Sequence, residues 1–292
     1  MQPPVGDGNR FHEPLISNSM TQNRSIRLDM LAGMISLVPG PLRNIVRKVP
    51  GLAAGQRALI SLLGRNEEFE HTIDYGPARG LAMPIRLPQD KAFWKGTYEE
   101  GFCSRLREAT KPGDVCFDIG AFRGYTAGVM ALAGASHVRA FEPAPLNQNA
   151  VRKVIALNPK LPIQLFEGAV GAAEGTIKIT IHEDSSMNFV GEDASGRPAV
   201  EVRMIALDNL VGEREAPEPK LLKIDVEGAE ASVLRGAARV LRQTVREIFV
   251  ELHHAKAKAE CEQLLAEAGF ERVWQAEEDG VFPMQTHFRR RT

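Results

Sequence analysis

From Lys111 onward the chain alternates between short apolar runs and longer stretches in which apolar residues return every three or four positions. The runs predict buried strands and the longer stretches amphipathic helices. Val115-Cys116-Phe117-Asp118-Ile119 is the first strand, ended by Gly120, and a helix is expected from Gly124. Val138 to Phe141 is the second, after which Leu146, Ala150, Val154 and Leu157 recur at helical spacing until Asn158-Pro159 stops the helix. Ile163 to Phe166 is the third. Ile177, Ile179 and Ile181 then alternate with polar residues, as do Val200, Val202 and Met204, which predicts an antiparallel hairpin linked by a loop from Glu183 to Pro198. Alternation resumes with a strand at Leu221-Leu222-Lys223-Ile224, one helix carrying Val233, Leu234, Ala237 and Leu241, and a strand from Ile248 to Leu252. A helix with Cys261, Leu264, Leu265 and Ala268 on one face ends at Gly269, and Phe270 to Trp274 and Val281 to Phe288 supply terminal strands. Repeated strand-helix units predict an α/β fold, a mainly parallel sheet with helices on both faces.

Upstream, Phe69 to Tyr75 and Leu81 to Leu87 flank the turn-rich Gly76-Pro77-Ala78-Arg79-Gly80 and predict a hairpin. Residues before about Glu67 read as short helical pieces broken at Pro39-Gly40-Pro41 and Pro50-Gly51. The chain therefore divides into an N-terminal helical extension (1–66), a hairpin and helix leading into the core (67–110), and the alternating body (111–292).

Composition changes this picture in one respect. A hydrophobic fraction of 43% and a charged fraction of 25% exclude a disordered or coiled-coil chain. Thirty-six basic against thirty-seven acidic residues remove the electrostatic case for nucleic-acid binding. Up to Arg65, however, eight basic residues face only three acidic ones, so a basic appendage is joined to an acidic body. Such an appendage suits packing on the body, or peripheral contact with an anionic membrane or glycolipid. Cys103, Cys116 and Cys261 have neither disulfide-framework nor metal-knuckle spacing. The start of the chain lacks the pattern of a secretory signal, and the apolar stretch Met30 to Val38 is about half a membrane span, so a cytoplasmic protein is expected.

Parallel sheets bind ligands beyond the carboxyl ends of their strands. Here those ends are polar. The first reads Asp118-Ile119-Gly120-Ala121-Phe122-Arg123-Gly124, in which Gly120 permits a tight turn and Gly124 lets a helix start close to the sheet. A dinucleotide loop would carry a further glycine and face a pyrophosphate. A carboxylate at Asp118 instead suits a cationic ligand such as the amino-acid end of S-adenosylmethionine, and Glu142 at the end of the second strand can accept from both hydroxyls of an unphosphorylated ribose.

These segments resemble the FkbM-type S-adenosylmethionine-dependent methyltransferases. The resemblance rests on Gly96-Thr97-Tyr98-Glu99, Gly113 to Ala121, Phe141-Glu142-Pro143, Ala169-Val170-Gly171, Ala206-Leu207-Asp208, Leu222 to Glu230 and Glu251-Leu252-His253, and spans about Gly96 to Gly269. Phe122-Arg123-Gly124 departs from the Asn-Ile-Gly common in such relatives. It implies a Rossmann-like methyltransferase fold with a seven-stranded sheet, transferring a methyl group to a hydroxyl of a saccharide, glycolipid or other small natural product. Cofactor contacts are implied for Asp118, Gly120, Ala121, Gly124, Glu142, Pro143, Glu167, Ala169 and Asp225.

Methyl transfer from a sulfonium is an in-line displacement, and an alcohol acceptor also needs a base or a metal. Asp225 follows the fourth strand and Glu251 and His253 end the fifth, with period-two spacing that puts the last two on one side. His253 is the expected base, at a near-neutral pKa. A divalent ion such as Mg²⁺ held by Asp225, Glu251 and His253, or mere capping and pairing by His253 and His254, are the alternatives. Glu230 is expected to cap the following helix, and Lys223 to snorkel or pair with a carboxylate. A nucleotide-dependent oxidoreductase and a non-catalytic binding protein remain the competing functions.

Overall fold

The computed structural model describes residues 68–180, 189–190, 199–212, 216–276 and 278–291. The N-terminal extension and most of the Glu183–Pro198 loop lie outside the described residues. The unit formed by Glu70–Ile85 and Gln89–Thr292 carries the parallel sheet.

β1 (Glu68–Thr72) and β2 (Ala82–Arg86) pair as the expected hairpin, and two helices follow, α1 (Lys91–Trp94) and α2 (Glu100–Ala109). The alternating body then runs β3 (Val115–Ile119), α3 (Tyr125–Leu132), β4 (His137–Glu142), α4 (Pro145–Leu157), β5 (Ile163–Glu167) and β6 (Ala169–Val170). β7 (Gly175–Thr180), β8 (Phe189–Val190) and β9 (Ala199–Ile205) precede α5 (Leu207–Gly212) and β10 (Leu221–Ile224). After α6 (Glu230–Arg235), α7 (Ala238–Gln243) and β11 (Glu247–Leu252) come α8 (Ala255–Glu267), β12 (Phe270–Gln275) and β13 (Met284–Arg290).

Seven strands form one sheet in the order β12-β13-β11-β10-β3-β4-β5, with β11, β10, β3, β4 and β5 parallel and the β12–β13 pair antiparallel. β7 and β9 form the expected antiparallel pair, inside a separate sheet of order β6-β9-β7-β8. The central strands are buried on both faces, which is why they read as apolar runs rather than alternating ones. Phe117, Ile119, Leu222, Ile224, Ile248 and Val250 pack with Val233, Leu234, Leu241, Cys261 and Leu265 of the covering helices in one core.

Two helices differ from expectation. The helix after β10 breaks into α6 and α7 at Gly236-Ala237, where a Cβ at Gly236 would lie 2.0 Å from the Gly171 carbonyl and where Asp208 caps the second half. Its carboxylate accepts from the N–H groups of Arg239 at 2.7 Å and Val240 at 3.0 Å. On α4 the buried face is Asn147, Gln148, Val151 and Val154, while Leu146 is exposed. The polar pair turns inward to serve the end of β4: Gln148 Nε2 donates to the Glu142 carbonyl at 3.0 Å and Asn147 Nδ2 to the Glu142 carboxylate at 3.4 Å.

Candidate active site

The parallel strands all end on one side, and a cavity of about 380 Å³ opens there. Of the residues singled out by sequence, Gly120, Glu142, Pro143, Ala169, Asp225, Glu251 and His253 line it. Asp118, Ala121, Gly124 and Glu167 do not.

Gly120 follows β3 at φ +80°, and a Cβ there would lie 1.7 Å from the Asp225 carbonyl oxygen. The glycine is thus required for close approach of two strand ends rather than of a ligand alone. Gly124 is the N-cap of α3 at φ +79°, and the intervening Phe122 also takes a left-handed conformation, φ +51°. That turn aims the Phe122 N–H at Glu142 Oε2, 2.7 Å away, while Oε1 accepts from the Ala144 N–H at 2.9 Å. Burial pushes the Glu142 carboxyl up to about 7 against the pull of those hydrogen bonds. Arg123, where the loop departs from its relatives' pattern, ion-pairs with Asp90 and donates to the Pro84 carbonyl at 2.8 Å.

Asp118 is placed differently from expectation. It precedes the strand end by one residue and its side chain is fully buried, accepting from Thr126 Oγ1 at 2.7 Å. Parallel register sets it opposite Lys223, whose Nζ lies 3.4 Å from Asp118 Oδ1 and 3.4 Å from Asp225 Oδ2 and donates to the Gly120 carbonyl at 2.7 Å. Asp118 therefore fixes a buried lysine behind the cavity, and Lys223 pairs with carboxylates rather than snorkelling. Burial disfavours charge on Lys223, but Asp225, Asp118, Glu99 and Glu251 outweigh it and raise its pKa. Glu167, one of the implied cofactor contacts, is half-exposed and paired with Arg152 at 2.6 Å. Its successors Gly168 and Ala169 reach the cavity instead.

Asp225, Glu251 and His253 do converge. One ligand atom from each lies within 4.8 Å of the others. His253 Nδ1 sits 2.7 Å from Oε1 of the fully buried Glu230, which also accepts the Gly228 N–H at 2.8 Å. The other ring nitrogen faces Glu227 Oε2 at 3.3 Å, Asp225 Oδ1 at 3.6 Å and Glu251 Oε1 at 3.8 Å. Burial lowers the histidine's proton affinity, but the Glu230 hydrogen bond and the Asp225 and Glu227 carboxylates overcome it and push the pKa up to about 9. The surrounding carboxylates thus favour a proton on His253 more than the near-neutral value expected from sequence. Its neighbour His254 does cap, accepting the Ala257 N–H at 3.0 Å at the start of α8.

Sequence reasoning assigned no role to Tyr98, Glu99 or Gln285. Tyr98 and Glu99 line the cavity, and burial with the Glu251 and Asp225 charges pushes Glu99 up to about 7. Their signal was present in the Gly96-Thr97-Tyr98-Glu99 match. Gln285 faces Glu251 across the antiparallel β11–β13 pair and donates to Glu251 Oε2 at 3.1 Å.

A mainly parallel seven-stranded sheet, an antiparallel pair at its edge and a carboxylate-rich cavity across the strand ends define a Rossmann-like methyltransferase. The chain belongs to the FkbM methyltransferase family: the model described as Methyltransferase FkbM domain matches residues 118–272, more than half of it. It is 31% identical over 182 residues to the hexuronic acid methyltransferase AglP of Haloferax volcanii, covering 58% of this chain and 69% of the relative. It is 29% identical over 224 residues to the 31-O-demethyl-FK506 methyltransferase FkbM of Streptomyces tacrolimicus, covering 63% and 84% respectively. A solved FkbM methyltransferase from Methylobacillus flagellatus matches at 14% identity and TM-score 0.46, over 61% of this chain and 43% of that one.

Proposed function

We propose that this methyltransferase moves the methyl group of S-adenosyl-L-methionine to a hydroxyl of a saccharide, glycolipid or other small natural product. The observation that carries the reading is that one cavity is lined both by Glu142, a ribose-type acceptor, and by the carboxylates of Asp225, Glu227 and Glu251. The donor set fits the cofactor. Glu142 would hold the ribose hydroxyls, Gly120, Pro143 and Ala169 would give backbone contact, and the carboxylates complement a sulfonium and its ammonium. When bound, the cofactor supplies an electrophilic methyl group on positive sulfur.

The chain's own part is placement. Asp225 and Glu251 offer acceptor-only oxygens that can orient a hydroxyl and take its proton. His253, held by Glu230, keeps those carboxylates in one arrangement. Asp118, Ala121 and Gly124 support the cofactor side from behind the lining, and the extension at 1–66 is assigned to the acceptor side or to an anionic lipid or glycolipid surface. The two named relatives act, by their names, on a hexuronic acid and on 31-O-demethyl-FK506. No helix among the described residues is long and apolar enough to cross a membrane, and we assign the protein to the cytoplasm.

Incubation with methyl-labelled cofactor and a panel of glycosides, uronates and macrolides tests the proposal. Transfer of alkali-stable label, the behaviour of a methyl ether, is expected. Label released by mild alkali, as from a carboxyl ester, or transfer to amines only, would overturn the hydroxyl assignment.

A further inference from the structure

We propose that Asp225, Glu251 and His253 bind one divalent cation, with Glu230 as the positioning residue for the histidine. The inference rests on the methyl-transfer reading and adds to it the device that handles the acceptor oxygen. Each of the three side chains is anchored at one atom and leaves its other atom turned toward a common point. Asp225 Oδ2 lies at 3.4 Å from Lys223 Nζ, leaving Oδ1 toward His253. Glu251 Oε2 is held by Gln285 at 3.1 Å, leaving Oε1. His253 Nδ1 is held by Glu230 at 2.7 Å, leaving Nε2.

The free atoms are spaced as ligands of one ion would be. Donors about 2.1 Å from a shared cation stand roughly 3 Å apart when adjacent and roughly 4 Å when opposed. Nε2 is 3.6 Å from Asp225 Oδ1 and 3.8 Å from Glu251 Oε1, and the three free atoms all lie within 4.8 Å of one another. The side chains of Asp225, Glu251 and His253 are each only partly exposed, at 21%, 14% and 15%. Glu230 supplies an independent sign: it is wholly buried, its Oε1 grips the imidazole and its Oε2 has no hydrogen-bond partner among the described residues. A buried carboxylate behind a histidine is the arrangement that fixes the ring of a metal ligand. Two carboxylates with one imidazole suit a Mg²⁺ or Mn²⁺ ion better than a thiophilic one. Such an ion would neutralise the acidic end of the cavity and bind and acidify an acceptor hydroxyl.

Mn²⁺ titrated into the full-length protein and followed by electron paramagnetic resonance tests the site without any turnover. One ion per chain is expected. Affinity should fall at least tenfold in Glu251→Gln and in His253→Ala, and about tenfold or more in Glu230→Gln, with the fold of each variant checked by circular dichroism. Glu260→Gln, a surface acid on α8, should bind as the wild type does. Absence of bound Mn²⁺ at millimolar concentration, or affinity unchanged in both Glu251→Gln and His253→Ala, would overturn the site. Methyl transfer measured in parallel keeps the two readings apart. Transfer that survives a chelator overturns a role for the ion but not methyl transfer, whereas Mn²⁺ bound by these residues in a protein that transfers no methyl group upholds the site and overturns the activity.

Discussion

Replacing Glu142 by glutamine tests the cofactor end of the cavity and the electrostatics that shape it. The side chain is only 4% exposed, and its oxygens take the N–H groups of Phe122 and Ala144 at 2.7 and 2.9 Å. Burial raises its pKa from 4.5 to about 7. A shift of that size corresponds to about 3 kcal/mol. A carboxyl whose folded pKa lies above its unfolded one favours the fold while protonated, so the contribution is complete below about pH 4.5 and is lost as pH rises through about 7. Glutamine has no such proton. The stability of Glu142→Gln relative to wild type should therefore increase by on the order of 2 kcal/mol between about pH 5 and about pH 8. A constant penalty of about 1–3 kcal/mol sits beneath it, since the amide NH₂ faces one of the two backbone donors and leaves it unanswered. Cofactor binding moves the other way. Hydrogen bonds to a charged acceptor are worth about 1.5–3 kcal/mol, so the loss of charge and of one acceptor oxygen should weaken S-adenosyl-L-methionine roughly tenfold to a hundredfold. Urea denaturation at the two pH values and calorimetric titration at neutral pH measure both effects. A stability difference that is flat with pH would refute the burial argument, and affinity within about threefold of wild type would refute the ribose assignment.

Two substitutions probe the scaffold of the site. Gly120→Ala places a Cβ 1.7 Å from the Asp225 carbonyl at φ +80°, and should cost at least ~2 kcal/mol and abolish cofactor binding; a urea midpoint equal to wild type would count against the close approach of these strand ends. Lys223→Met leaves Asp118 fully buried without its cation and should cost about 3–5 kcal/mol. Adding Asp118→Asn should restore most of that loss, and a double variant no more stable than the single would show that the pair is not what the lysine supports.

The sheet was legible because strands buried on both faces are contiguous apolar runs, and Gly120 and Asn158-Pro159 punctuate them. Its strand ends were legible too, since parallel strands deliver Glu142, Asp225, Glu251 and His253 to one side whatever the loops do. What escaped came from outside that logic. Asp118 misled because a strand's faces alternate: one position short of the end, its side chain turns to Lys223 behind the cavity. Gln285 reaches Glu251 through the register of an antiparallel pair, which sequence does not reveal. Glu99 reaches the cavity from a left-handed cap ahead of α2, φ +43°. The inward turn of Asn147 and Gln148 followed from the Glu142 carboxylate and carbonyl to which they donate, not from helical periodicity.

Charge explains why the acidic body is more than a compositional fact. Glu99, Asp225, Glu227 and Glu251 crowd one cavity, and burial together with their mutual repulsion raises the proton affinity of Glu99, Glu227 and Glu251. Lys223 and the His253 ring are set directly against them. Left-handed backbone at non-glycine residues adds to the cost: among the described residues it occurs at Glu99, Phe122 and Glu227, and all three line this cavity. Each such residue costs of order 1–3 kcal/mol and persists only where its surroundings over-determine it. The like charge concentrated there would be relieved in part by positive charge entering the cavity. The sulfonium of S-adenosyl-L-methionine and the proposed divalent ion are both positive charges of the kind this cluster would hold.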